Sequence, residues 1–99
     1  LNILNNAWDI ITERHIVLPR IEIKLFREGF CNVTTISDNA GGIPAEIIDR
    51  IFDPYFTTKD SDKGTGIGLY MSKTIIEQRM NGKISVCNTE LGAEFRIAL

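Results

Sequence analysis

The feature that most constrains this chain is a hydrophobic period that switches from helical to alternating twice. "RIEIKLFR" (20–27) sets Ile21, Ile23 and Leu25 against Glu22 and Lys24, with Phe26 weakening the polar side. "FCNVTTIS" (30–37) is rich in β-branched residues, and "EG" (28–29) between the two segments predicts an antiparallel hairpin. "KISVCN" and "EFRIAL" repeat the pattern around "ELG", with Phe95, Ile97 and Leu99 pointing one way. Helical spacing precedes and separates these pairs. Leu1, Leu4, Trp8 and Ile11 predict a helix over residues 1–14, and Pro44 suits the first turn of a short helix in "PAEIIDRIF". Residues 66–80 predict a third helix, its apolar face drawn from Ile67, Leu69, Met71, Ile75, Ile76 and Met80, with Gly82 as a left-handed cap. Strands arriving in hairpins build a largely antiparallel sheet. The expected class is α+β, a two-layer α/β sandwich with the helices on one face.

Composition narrows the function classes. The 99 residues carry a net charge of −2, with Lys and Arg scattered, so no basic face for nucleic acid is indicated. No apolar run approaches the ~20 residues of a membrane span. Cys31 and Cys87 lie far apart, without the CxxC or Cys/His spacing of a zinc site, and read as two reduced thiols. The first residue already looks helical, with neither an initiator Met nor a cap. The expectation is a piece of a longer protein whose N-terminal part is truncated.

"DKGTGIGLYMSK" (62–73) places Gly64, Gly66 and Gly68 immediately before a helix. A Walker loop needs GxxxxGK followed by Ser or Thr, which does not occur, and GxGxxG fails because the sixth position is Leu69. What remains is GxGxG where a long polar loop meets a helix N-terminus. Unpaired N–H groups and the helix dipole favour an anion there, and glycines let it approach the backbone. The same pattern also describes a glycine hinge.

Four segments occur in order: "NILNNAWD" (2–9), "DNAGGIP" (38–44), "FDPYFTTK" (52–59) and "GTGIGL" (64–69). Together they resemble the N, G1, F and G2 boxes of the ATP-binding catalytic domain of sensor histidine kinases, in the wider group that includes DNA gyrase, Hsp90 and MutL. The resemblance covers nearly the whole chain. It implies the Bergerat ATP-binding fold, with a mixed, mostly antiparallel sheet. It also implies that residues 1–99 form one catalytic domain whose dimerisation and phosphoacceptor domain lies elsewhere.

The resemblance also implies roles. Asn6 would coordinate a Mg²⁺ bridging the phosphates, supplying an oxygen without adding negative charge. Asn2, one turn earlier, stands where ATP-hydrolysing relatives hold a glutamate. It cannot serve as a base, so the site would hold ATP without splitting it quickly. Asp9 would lie near the nucleotide or the metal, whereas Asn5 reads as solvent-facing. Asp38 would accept a hydrogen bond from the adenine amino group and discriminate against guanine. Gly41 and Gly42 would keep the pocket open to the backbone, with Ile43 as an apolar wall, and Ala40 departs from the usual glycine of D-x-G-x-G. Phe52 and Phe56 would pack as the front hinge of a lid. Thr57, Thr58 and Lys59 would neighbour the phosphates, and Gly64, Thr65, Gly66, Ile67, Gly68 and Leu69 would close the lid around them. Trp8, Tyr55 and Tyr70 read as packing residues.

The function implied is binding of Mg-ATP and donation of the γ-phosphoryl group to a histidine of the kinase's own dimerisation domain. A homodimeric parent, a downstream response regulator and a cytoplasmic location would follow. No catalytic residue is expected within the chain. His15, followed by Ile16 rather than an acidic residue, reads as a surface or loop residue. The alternatives are an ATPase or serine kinase of the wider group, and a docking module with the same fold.

Overall fold

The computed structural model describes residues 2–56 and 68–99, with Asn2 described by its backbone alone. Helix α1 spans Asn2–Glu13 and buries Ile3, Ala7 and Ile11, which recur every fourth residue along one face. It stops at His15, which takes a left-handed φ of 53°. The His15 N–H donates to Thr12 O and the Ile16 N–H to Ile11 O, the pair of bonds that closes a Schellman end. His15 thus ends a helix in a turn and is exposed, as expected.

Strands β1 (Ile21–Glu28) and β2 (Cys31–Asp38) pair antiparallel. The hairpin turns on Gly29 and Phe30, one residue later than expected, with Gly29 at φ 61° as the first central position of a type II′ turn demands. A short helix, α2, covers Ala45–Ile48. Pro44 lies just outside it with ψ 139°, and its carbonyl accepts the Ile47 and Ile48 N–H groups. Helix α3 covers Gly68–Thr74 and is prolonged by a π-helical segment over Ile75–Arg79. β3 (Lys83–Asn88) and β4 (Ala93–Ala98) complete a four-stranded antiparallel sheet of order β1-β2-β4-β3.

The register sorts the sheet into two faces. Ile36, Phe95 and Val86 lie in line across three strands, as do Thr34, Ile97 and Ile84. All of these except Thr34 join Ile3 of α1, Ile51, and Ile76 of the π-helical segment in one cluster, which Ile43, Phe52, Phe56 and Leu69 extend. The helices therefore cover one face, and the two-layer sandwich holds. The opposite face carries ion pairs, Arg96 with Glu28 at 2.8 Å and Lys24 with Glu22 at 3.2 Å. Arg20, and then Lys24, hold the Glu22 carboxyl below its ordinary pKa. Val33 is also buried on this face, opposite Phe26 in the register.

Several packing expectations change. Gly82 is not the left-handed residue; Asn81 is, at φ 55°. Gly82 is small because a β-carbon would stand 2.5 Å from the Leu99 side chain and 2.7 Å from Ala98 O. Met71, Ile75 and Met80 are exposed, and among the described residues of the predicted apolar face only Leu69 and Ile76 reach the core. At 100° per residue Met71 stands about 200° from Leu69, so the face read from the sequence combined two sides of the helix, of which the core takes the one with Leu69 and Ile76. Ile23 and Leu25 are exposed on edge strand β1, beyond the core cluster under α1. Trp8 and Tyr55 are exposed rather than packed, whereas Tyr70 is 38% exposed.

Candidate functional site

Helix α1 brings Asn6 and Asp9 to its flank. Ile3, Ala7 and Ile11 fix the buried stripe, and 100° per residue places Asn6 and Asp9 together on one side of it. Both are half-buried, whereas Asn5 is exposed. Two oxygen-bearing side chains therefore sit at the edge of the core, where a ligand can reach them and water is partly excluded.

The end of β2 makes the second part. Asp38 Oδ1 accepts the backbone N–H of Ala40 at 3.0 Å and of Ala93 at 3.3 Å. One carboxylate oxygen thus ties the loop to β4, and among the described residues no donor is placed on the other. The chain then passes through Ala40, buried and with an ordinary φ, so the methyl group where a glycine is usual is accommodated without strain. Gly41 and Gly42 follow at φ 95° and 86°, a conformation that only glycine adopts freely. Their smallness was expected for access; the backbone adds its own requirement.

This loop is anchored from every side. Arg14 Nη1 donates to Ala40 O and, at 3.1 Å, to Gly42 O. The Gly41 N–H donates to Leu91 O at 3.1 Å. Asn88 accepts the Ile43 N–H through Oδ1 and donates through Nδ2 to Ile43 O, both at 2.8 Å, so a side-chain amide imitates a strand neighbour. Asn39 accepts the Arg20 N–H at 2.9 Å and donates to Leu18 O at 2.7 Å. Hydrogen bonds on both sides of Asp38 hold its carboxylate in one orientation before any ligand arrives.

Ile43 is half-buried against the core, as an apolar wall requires. Phe52 and Phe56 pack there too, as expected. Phe52 meets Phe95 edge-on at 6.2 Å, with Lys73 Nζ 5.4 Å above its ring, and the Arg50 guanidinium lies 4.7 Å over Phe56. Gly68 begins α3, its carbonyl accepting Ser72 Oγ at 3.0 Å, and Leu69 packs on the core. Thr57, Thr58, Lys59, Gly64, Thr65, Gly66 and Ile67 lie outside the described residues, as does the side chain of Asn2.

Two sides of a site are therefore in place: an amide and a carboxylate on α1, and a carboxylate with a bare, left-handed backbone after β2. The described residues hold no cluster of three His, Cys, Asp or Glu side chains suited to a metal. That donor set fits a hard cation sharing its ligands with phosphate and water. A cavity of about 210 Å³ opens at the end of β2, lined by Asp38 and Asn39 together with Glu22, Ser37 and Glu94 from the face of the sheet away from the helices. Arg14, Asn88 and Gly92 were missed by sequence reasoning, since none belongs to a box and each reaches the loop across the fold. The one available signal was the glycine of "LGAEF", read only as a turn.

The sequence matches, over residues 1–99, the family described as histidine kinase-, DNA gyrase B-, and HSP90-like ATPase. The two-component sensor PprA of Pseudomonas aeruginosa is 35% identical over 102 residues, covering 100% of this chain. Sporulation kinase A of Bacillus subtilis is 42% identical over 99 residues, covering 99% of this chain. The chain spans 11% and 15% of the length of these two relatives. The catalytic domain of the histidine kinase ThkA, solved in a nucleotide-free form, shares the fold with a TM-score of 0.80 at 32% identity; the match covers 99% of this chain and 61% of that one. Matched along its whole length and sharing the fold, this chain belongs to the histidine kinase-, DNA gyrase B- and HSP90-like ATPase family, in the form found in sensor histidine kinases.

Proposed function

We propose that residues 1–99 act as one catalytic domain that binds Mg-ATP and presents its γ-phosphoryl group to a histidine on a dimerisation domain of the same kinase. The observation that carries the reading is Asp38, whose Oδ1 is held by two backbone N–H groups and whose second oxygen is left to accept an adenine amino proton. Gly41 and Gly42 admit the base against the backbone, and Ile43 closes the pocket on its apolar side. Asn6, with Asp9 beside it, would hold Mg²⁺ at the phosphate end, where the ion would neutralise phosphate charge. Phe56 marks the front of the lid, whose Thr58 and Lys59 neighbour the phosphates. Gly64, Thr65, Gly66, Ile67, Gly68 and Leu69 form its far end. Bound ATP supplies the transferable phosphoryl group, and the residues of this chain orient it and neutralise its charge. Asn2 offers no base to activate water, so the phosphoryl group is kept for the histidine.

The single histidine of this chain, His15, serves to end α1, so the acceptor lies on the dimerisation domain. A homodimeric kinase that passes the phosphoryl group to a response regulator, with this domain on the cytoplasmic side, completes the reading. Among the described residues no helix is long and apolar enough to cross a membrane.

The test is calorimetric titration with ADP and a non-hydrolysable ATP analogue, with and without Mg²⁺, against an Asp38→Ala control. Mg²⁺-dependent binding that the control abolishes is expected. A folded protein that binds neither nucleotide would overturn the reading in favour of a docking module, and steady turnover of ATP to ADP would move it to the ATPase branch.

A further inference from the structure

We infer that Arg14 is a positioning residue that sets the shape of the Asp38–Ile43 loop and, through it, the affinity for the adenine end of the nucleotide. The inference rests on the nucleotide-site reading above. Arg14 follows the last residue of α1, and its N–H still donates to Ile10 O at 3.0 Å, so its backbone is fixed by the helix that carries Asn6 and Asp9. Its Nη1 donates to the carbonyls of Ala40 and Gly42, which bracket Gly41. The φ of 95° at Gly41 turns the chain so that both carbonyls meet one nitrogen. A β-carbon on Gly41 would stand 3.1 Å from that nitrogen, so the guanidinium fills the space the missing side chain leaves.

A guanidinium suits this task. Its donors are fixed in a plane, it stays charged at any working pH, and its hydrogen bonds to carbonyls are charge-assisted. The consequence is mechanical. The eight residue-to-residue steps from Asn6 to Arg14 span about 12 Å of helix. One rigid element therefore carries the metal end of the site and clamps its adenine end. Asn88 holds the loop at Ile43 and Asp38 holds it at Ala40, but only Arg14 ties it to α1 among the described residues.

The experiment compares Arg14→Ala and Arg14→Lys with the unaltered protein in three measurements: affinity for Mg-ADP, melting temperature, and hydrogen exchange of the Gly41–Ile43 amides without nucleotide. Arg14→Ala is expected to weaken Mg-ADP about tenfold, the loss of one charge-assisted hydrogen-bond pair on a partly exposed loop, and to speed exchange in the loop. Its melting temperature should stay within a few degrees. Arg14→Lys should recover most of the affinity. Unchanged affinity and unchanged loop exchange in Arg14→Ala would overturn the inference. So would an affinity loss that merely follows melting temperature in both variants. If the unaltered protein binds no Mg-ADP, the nucleotide reading fails by itself. The exchange comparison, made without nucleotide, still decides whether Arg14 holds the loop.

Discussion

Gly92 lies so close to Asp38 that a β-carbon on it would overlap the Asp38 carbonyl oxygen and stand 2.5 Å from Oδ1. The turn between β3 and β4 is thereby pressed against the end of β2. Its own bonds, Thr89 N–H to Gly92 O at 2.7 Å and Gly92 N–H to Thr89 Oγ1 at 3.1 Å, leave it little freedom to retreat. Gly92→Ala is therefore expected to destabilise the fold by about 1–3 kcal/mol, as overpacking against backbone does. It should also weaken nucleotide binding beyond any loss from unfolding. Urea unfolding and Mg-ADP titration check the two effects separately, and a variant as stable as the original would show that the turn can move.

Asp38→Asn separates fold from recognition. The amide oxygen can still accept the Ala40 and Ala93 N–H groups that Oδ1 accepts now. The nitrogen, however, puts a donor where the adenine amino group must also donate. Stability should change by less than about 1 kcal/mol, while Mg-ADP affinity falls by roughly ten- to a hundredfold, the loss of a hydrogen bond to a charged group. Asp38→Ala should lose both, because it leaves two loop N–H groups unpaired. Unchanged Mg-ADP affinity in Asp38→Asn would show that Asp38 has no special part in base recognition.

These residues also show what the sequence makes legible. Hairpin strands and amphipathic helices carry their own period, so the element order could be read from Ile21, Ile23 and Leu25 or from Leu1, Leu4, Trp8 and Ile11 without knowing their neighbours, although the stripe that α1 buries is Ile3, Ala7 and Ile11. Asp38, Gly41 and Gly42 were legible because they stand together in one segment. Arg14 and Asn88 were not: they meet the loop from 26 and 45 residues away in the chain. Their partners are carbonyl and amide groups that every residue possesses, so no side-chain pattern announces the pairing. Met71 and Ile75 were misplaced for a different reason. At 100° per residue Leu69 and Ile76 share one side of the helix while Met71 stands about 200° from Leu69 and Ile75 about 100° from Ile76, so one face could not bury all four.

Gly42 tests how tightly the loop is specified. At φ 86° any side chain is strained, and a β-carbon would also stand 2.9 Å from Asn88 Oδ1. Gly42→Ala should lose about 2 kcal/mol or more, part of it from the left-handed backbone and part from displacing Asn88. Combining it with Asn88→Ala removes the collision but also the two bonds to Ile43. The double variant should therefore be less destabilised than the sum of the single changes, by about 0.5–2 kcal/mol. Strict additivity in urea unfolding would mean that Gly42 and Asn88 do not meet.

His15 permits a prediction in which stability rises. It occupies the left-handed position that ends α1, at φ 53°, where glycine is the usual residue because a β-carbon is strained there. Glycine relieves that strain but gains freedom in the unfolded chain, so His15→Gly should stabilise by only about 0.5–1 kcal/mol, a few degrees in melting temperature. The same variant removes the single histidine of the chain. Phosphoryl transfer in an intact kinase carrying it should then proceed at the original level, because the backbone of residue 15, not its imidazole, is what the fold uses. Loss of phosphorylation in a variant that melts no lower would assign His15 the acceptor role that its turn position and exposed imidazole argue against.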